Sequence, residues 1–150
     1  MMRLFSFIGF PSQVIAHTDG AIRQERGASG LAAVAHDERG NLRALWTKRV
    51  GRLTCNEAEY AAAILALERL LPYKPAEIVL LSDSQVMVHQ MTGIATAQSP
   101  KLKQKQAALR GLVTQFEQVT FRHIPREQNR LADALANEAA DGKEQSCGWK

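Results

Sequence analysis

Cysteine is almost missing from this chain of 150 residues: Cys55 and Cys147 are the only two, far apart and without metal-ligand spacing. That argues against a disulfide framework and gives no sign of a zinc site, leaving at most one Cys55–Cys147 bridge to tie down the end of the chain. A membrane-length apolar run is missing as well. The opening M-M-R-L-F-S-F-I-G-F has one arginine, a short apolar run and no A-x-A site before Pro11. It is too short to span a bilayer and a poor signal peptide, so an intracellular, cytoplasmic protein with no membrane partner is expected. No repeat, low-complexity segment or linker interrupts the sequence. One domain is expected over 1–142, with a flexible tail over 143–150.

What is present belongs to a folded globular protein, 45% hydrophobic and 23% charged. A chain of this length buries roughly 70% of its unfolded surface around one core. The formal net charge of +4 and pI near 9.3 lean towards a polyanionic partner.

The stretch from Thr54 to Leu71, T-C-N-E-A-E-Y-A-A-A-I-L-A-L-E-R-L-L, organises the rest. Thr54 and Glu57 form a capping-box pattern, and the alanine- and leucine-rich run that follows predicts a helix. Glu57 and Glu68 fall about 20° apart on its wheel and mark a wet side, whereas Glu59 points about 200° away from Glu57, into apolar company. A carboxylate facing a core must be paired, neutralised or bound to a metal, unless its place one turn from the helix start keeps it wet.

Strands are expected over 12–17, 30–36 and 42–50, with D-E-R-G-N as the hairpin turn between the last two. The continuous apolar run A-E-I-V-L-L, 76–81, suits a strand buried on both faces and reached by a crossover helix. Helices then follow from Ser82-Asp83-Ser84 to about Gly93, over 101–117 and over 130–140, with a strand over 119–124 between the last two. This order gives an α/β domain, an antiparallel meander extended by crossover strands into a mixed sheet.

Four acids stand where strands end or helices begin: Asp19, Glu59, Asp83 and Asp133. Each has a plain alternative. Asp19-Gly20 is a common turn dipeptide, Asp83 an ordinary helix-start acid and Asp133 an acid favoured by a helix dipole. His123, in V-T-F-R-H-I-P, reads alone as a half-buried strand histidine.

The motifs T-D-G, T-C-N-E-A-E-Y, L-L-S-D-S-Q and H-I-P-R-E-Q-N-R-L-A-D-A-L-A-N, in that order from Val14 to Ala140, resemble the type 1 ribonuclease H family. The resemblance implies a ribonuclease H-like fold: a five-stranded mixed sheet in the order 3-2-1-4-5 with helices on both faces. It implies a metal-dependent endoribonuclease acting on RNA–DNA hybrids, with two Mg²⁺ ions (Mn²⁺ as substitute) held by the four acids, and a monomer is expected. In those roles Asp19 bridges the ions, Glu59 and Asp83 hold the one nearer the leaving group, and Asp133 holds the other. His123 is implied to assist water positioning or product release. Gly20 and Asn56 are implied to meet the 2′-hydroxyls of the RNA strand and Thr54 a phosphate of the DNA strand, although Thr54 also serves as N-cap.

The chemistry suits the donors independently: hard Mg²⁺ prefers carboxylate oxygen, and two such ions can clamp an in-line displacement at phosphorus. Three departures from the family pattern stand out. Q-E-R-G, Gln24 to Gly27, replaces a glycine-asparagine-proline-glycine turn, placing Glu25 where an asparagine would meet substrate. Cys55 replaces an asparagine. The stretch from Gly93 to Lys101 is too short for the basic protrusion of some bacterial members, making this a short form, with Lys101, Lys103, Lys105 and Arg110 on a helix read as solvated. A non-catalytic binding module, or a nuclease for double-stranded RNA or DNA junctions, are the competing readings.

Overall fold

The computed structural model describes residues 12–149; the opening segment read above as neither a signal peptide nor a membrane span lies outside them. Strands β1 (Gln13–Arg23), β2 (Ala28–Asp37) and β3 (Leu42–Gly51) form an antiparallel meander. Helix α1 (Cys55–Leu70) crosses over to β4 (Glu77–Ser82), which lies parallel to β1. Helices α2 (Gln85–Met91) and α3 (Pro100–Val113) lead to β5 (Val119–His123), parallel to β4, and α4 (Arg130–Ala140) follows. The sheet order is β5-β4-β1-β2-β3, as the family resemblance implies, extended at its far edge by a sixth strand, β6 (Ser146–Cys147).

The sixth strand corrects the expected flexible tail. Gln145 donates its N–H to Thr47 Oγ1 (2.6 Å), and Thr47 N–H returns a bond to the Gln145 carbonyl (2.8 Å). Two residues beyond β6, Trp149 lies 6.0 Å from the Tyr73 ring, with the Arg43 guanidinium 5.4 Å from its centroid. Covering an exposed edge and half-burying an indole together anchor the segment.

Alternation along β1 separates two layers. Val14 and Ala16 face Tyr60, Leu67 and Leu70 of α1 together with Met87 and Leu109, the main core. On the other face α4 packs Ala132, Leu135 and Ala136 against Ala32 and Val34. Small residues there let the helix approach closely: a Cβ on Gly30 would run into the backbone of Ala136 and Ala140. Among the described residues no helix is long and apolar enough to cross a membrane.

Two local readings change. Strand β1 does not end before Thr18 but runs through T-D-G, with Asp19 opposite Ala32 and Gly20 opposite Leu31. The turn comes at Q-E-R-G, a 3₁₀ turn over Gln24–Arg26 closed by Gly27 at φ 59°, the left-handed region that glycine enters freely. Glu57, expected on the wet side of α1, is buried (7% exposed), because its carboxylate folds back to accept the Thr54 N–H (2.8 Å) while Lys101 and Lys105 of α3 approach it. The capping box is complete, with Thr54 Oγ1 accepting from Glu57 N–H.

Candidate active site

Four elements deliver one carboxylate each to the end of the sheet where β1 and β4 run side by side. Asp19 is on β1, Asp83 directly follows β4, Glu59 is in the second turn of α1 and Asp133 in the first turn of α4. Glycine at position 20 makes the approach of α1 possible, since a Cβ there would lie 2.6 Å from the Ala58 carbonyl carbon. The Gly20 N–H then donates to Glu59 Oε1 (2.7 Å) and to Asp19 Oδ1 (3.0 Å), orienting both. Asp19, Glu59 and Asp83 each place an oxygen within 4.8 Å of the other two. Asp133 lines the same cleft, whose volume is about 400 Å³, along with Gly20 and Asn56.

Asp19 and Glu59 are only 5% and 8% exposed, so their negative charge is poorly hydrated. Burial is the largest cause raising each above its ordinary value, Asp19 to about 7 and Glu59 to about 10. Neighbouring charge adds to this, from Asp83 and Asp133 on Asp19 and from Asp19 and Asp83 on Glu59. The hydrogen bond between the two carboxyls lowers Asp19 and raises Glu59, while the Gly20 N–H works to lower Glu59. Two carboxyls this close and this poorly hydrated hold a proton between them more readily than both ionise. A donor set of carboxylate oxygens alone, too crowded to ionise fully by itself, fits a hard divalent ion.

Asp133 has a different setting. Its side chain is 33% exposed, and the Arg126 guanidinium stands off at 3.9 Å. Asn137, one turn on, donates to Asp133 Oδ1 (3.3 Å) and to its carbonyl (2.8 Å), and accepts from Arg23 Nη2 (2.9 Å). Arg23 and Arg26 both pair with Asp141 (2.9 and 3.3 Å), so the arginines of the turn are committed to α4 instead of being free beside Glu25.

The remaining expected residues divide. Gly20 and Asn56 line the cleft; Thr54 is absent from its wall and serves as N-cap of α1. His123 ends β5 opposite Ser82, exposed and outside the cleft wall. Cys55 and Cys147 are both free thiols, which closes the question of a bridge, and Cys55 lines the cleft. On α3, Lys101 and Lys103 are exposed, whereas Arg110 donates to the Gln90 carbonyl (3.2 Å). The sequence reading gave no role to Arg126, although P-R-E-Q-N places it in the loop before α4. Nor did it single out Asn129, whose position at a helix start was the available signal.

A mixed sheet in this order, with helices on both faces and carboxylates converging at its centre, is the ribonuclease H-like fold. A family model described as reverse transcriptase-like matches residues 17–139. The ribonuclease HI of Halobacterium salinarum is 39% identical over 86% of this chain, which spans 65% of that relative's length. The crystal structure of the ribonuclease H1 of that archaeon has a TM-score of 0.83 at 38% identity, covering 87% of this chain and 99% of that one. The bifunctional protein Rv2228c of Mycobacterium tuberculosis is 32% identical over 89% of this chain, which spans 37% of its length. LC11-RNase H1, solved in complex with an RNA/DNA hybrid, has a TM-score of 0.80 at 37% identity, covering 85% of this chain and 96% of that one. The chain belongs to the type 1 ribonuclease H family.

Proposed function

We propose that this domain is a metal-dependent endoribonuclease that hydrolyses the RNA strand of RNA–DNA hybrids, with Mg²⁺ as its ion. One observation carries the reading: oxygens of Asp19, Glu59 and Asp83 lie within 4.8 Å of one another, in a cleft that Asp133 also lines. Those four carboxylates would hold the ions. When bound, two divalent ions supply Lewis-acid stabilisation of an in-line displacement at phosphorus. The Gly20 N–H keeps Glu59 turned towards Asp19, and a divalent ion held by the two carboxyls would favour their ionised forms. Asn56, at the cleft wall, is placed to meet the sugar edge of a nucleic-acid strand, where 2′-hydroxyls mark RNA. Hybrid recognition is supported by a relative of 37% identity solved with an RNA/DNA hybrid.

The test incubates the purified protein with end-labelled RNA–DNA hybrid, double-stranded RNA and single-stranded RNA, each with Mg²⁺ and with chelator. Cutting of the hybrid's RNA strand, dependent on Mg²⁺ and lost in Asp19→Asn, is the expected result. Cutting of double-stranded RNA as well would mean that the Q-E-R-G turn relaxes recognition of the DNA strand. A folded protein that binds hybrid and leaves it intact would refute the enzymatic reading in favour of a binding module.

A further inference from the structure

Asn129 stands at the N-cap position of α4 yet makes no side-chain capping bond. Asparagine is favoured there because its side-chain oxygen accepts a helix N–H. Here the side chain turns the other way, into the protein, and is 1% exposed. Its Nδ2 donates to the Thr18 carbonyl (2.9 Å) across 111 residues of sequence, and approaches Asp83 Oδ2 at 3.5 Å. Its own carbonyl accepts the Asp133 N–H (3.0 Å). One residue thus touches the backbone immediately before Asp19, the carboxylate of Asp83 and the backbone of Asp133.

Two further facts set this amide apart from a packing residue. Its Oδ1 is buried with no hydrogen-bond partner among the described residues, an arrangement that costs stability. The Thr18 carbonyl and the Asp83 carboxylate belong to β1 and the end of β4, while Asn129 itself opens α4, the helix that carries Asp133, so one amide joins three elements that only the tertiary fold brings together.

We propose that Asn129 is a positioning residue of the hydrolytic site, whose side-chain amide ties the start of α4, and with it Asp133, to the backbone before Asp19 and to the Asp83 carboxylate. The inference rests on the reading of the carboxylate cleft as a divalent-ion site. Asn129 touches neither ion nor substrate in this role; it sets where the ligand oxygens stand before a cation arrives. Removing such an outer partner typically weakens metal binding about tenfold or more.

The experiment titrates Mg²⁺ alone into the unsubstituted protein, Asn129→Leu and Asn129→Ala by calorimetry, with Asp19→Asn as the control for a lost site. Leucine keeps the volume and discards the donors, so it separates hydrogen bonding from packing. Both Asn129 variants should bind Mg²⁺ about tenfold more weakly, and their kcat on hybrid should fall while KM stays within about twofold. Should the variants not fold, the side-chain amide of Asn129 in the ¹⁵N-labelled unsubstituted protein decides. Its resonance should shift during the Mg²⁺ titration with the calorimetric midpoint. Full Mg²⁺ affinity in Asn129→Leu, or an amide resonance unmoved by Mg²⁺, overturns this inference alone. No Mg²⁺ binding by the unsubstituted protein overturns the metal-site reading, and this inference with it.

Discussion

Replacing Asp19 by Asn should make the metal-free protein more stable at slightly alkaline pH while removing its activity. The reasoning starts from burial: Asp19 is 5% exposed, and its carboxyl is raised from 3.8 to about 7. A carboxyl raised on folding binds its proton more tightly in the folded chain than in the unfolded one. Stability therefore falls as pH climbs from the unfolded value towards the folded one. A shift of about 3 units at ~1.36 kcal/mol each gives ~4 kcal/mol for Asp19 above its folded value. The neutral amide must itself be hydrogen-bonded in the cleft, which offsets part of this gain, so ~2 kcal/mol is the expected net stabilisation at pH 8. In a domain of this size that is a rise in Tm of roughly 4–8 °C. The assay is thermal or urea unfolding of both proteins in chelator from pH 5.5 to 8.5, read as the difference between them. Titrating groups out of reach of Asp19 cancel in that difference, whereas Glu59, raised in part by the Asp19 charge, adds to the gain. The half-buried His17 and His36, lowered first of all by burial, favour folding as pH rises through about 6.5. Asp37, Asp141 and Glu57, all held below their ordinary values, lose their stabilising effect only as pH falls below about 5. Added Mg²⁺ should reverse the order by stabilising only the unsubstituted protein. Equal stability of the two proteins in chelator at pH 8 would refute the argument that Asp19 carries a poorly compensated charge.

Mg²⁺ binding at pH 7 should release about one proton, the one shared by Asp19 and Glu59, and affinity should rise with pH; calorimetry in two buffers of different ionisation enthalpy measures both. Gly20→Ala puts a Cβ 2.6 Å from the α1 backbone and should cost roughly 1–3 kcal/mol in unfolding experiments, with activity falling further as Glu59 moves off its N–H. Ending the chain after residue 142 removes β6 and the Trp149 contact with Arg43 and should lower stability by roughly 1–3 kcal/mol, with kcat on hybrid kept because the cleft lies elsewhere.

The fold was legible wherever local signals agreed. The capping box, the alanine-leucine run and the apolar stretch ending at Leu81 point to one crossover from β3 to β4, and the structure has it. Misreadings came where a residue served a distant partner. Thr18-Asp19-Gly20 reads locally as a turn, but Gly20 is glycine because Ala58 of α1 packs against it, a requirement 38 positions away that no local window contains. Glu57 was placed on the wet side by helix periodicity, whereas the capping geometry and the lysines of α3 draw it in. In the tail, pairing with Thr47 and the seat of Trp149 exist only once the sheet edge is built.

The site shows the same division more sharply. Each acid alone has an ordinary explanation, and only their placement on four elements that meet at one end of the sheet removes it. Burial first, and the neighbouring acids after it, raise the pKa of Asp19 and Glu59, so these two carboxyls are poorly compensated where they stand. Asn129 carried no comparable signal, since asparagine before a helix already has a sufficient reason in capping. Its function became visible through a missing bond: the cap it does not make, set beside the Thr18 carbonyl and the Asp83 carboxylate that it reaches instead. The carboxylates can be found by their chemistry, but the group that sets their spacing is found only by its geometry.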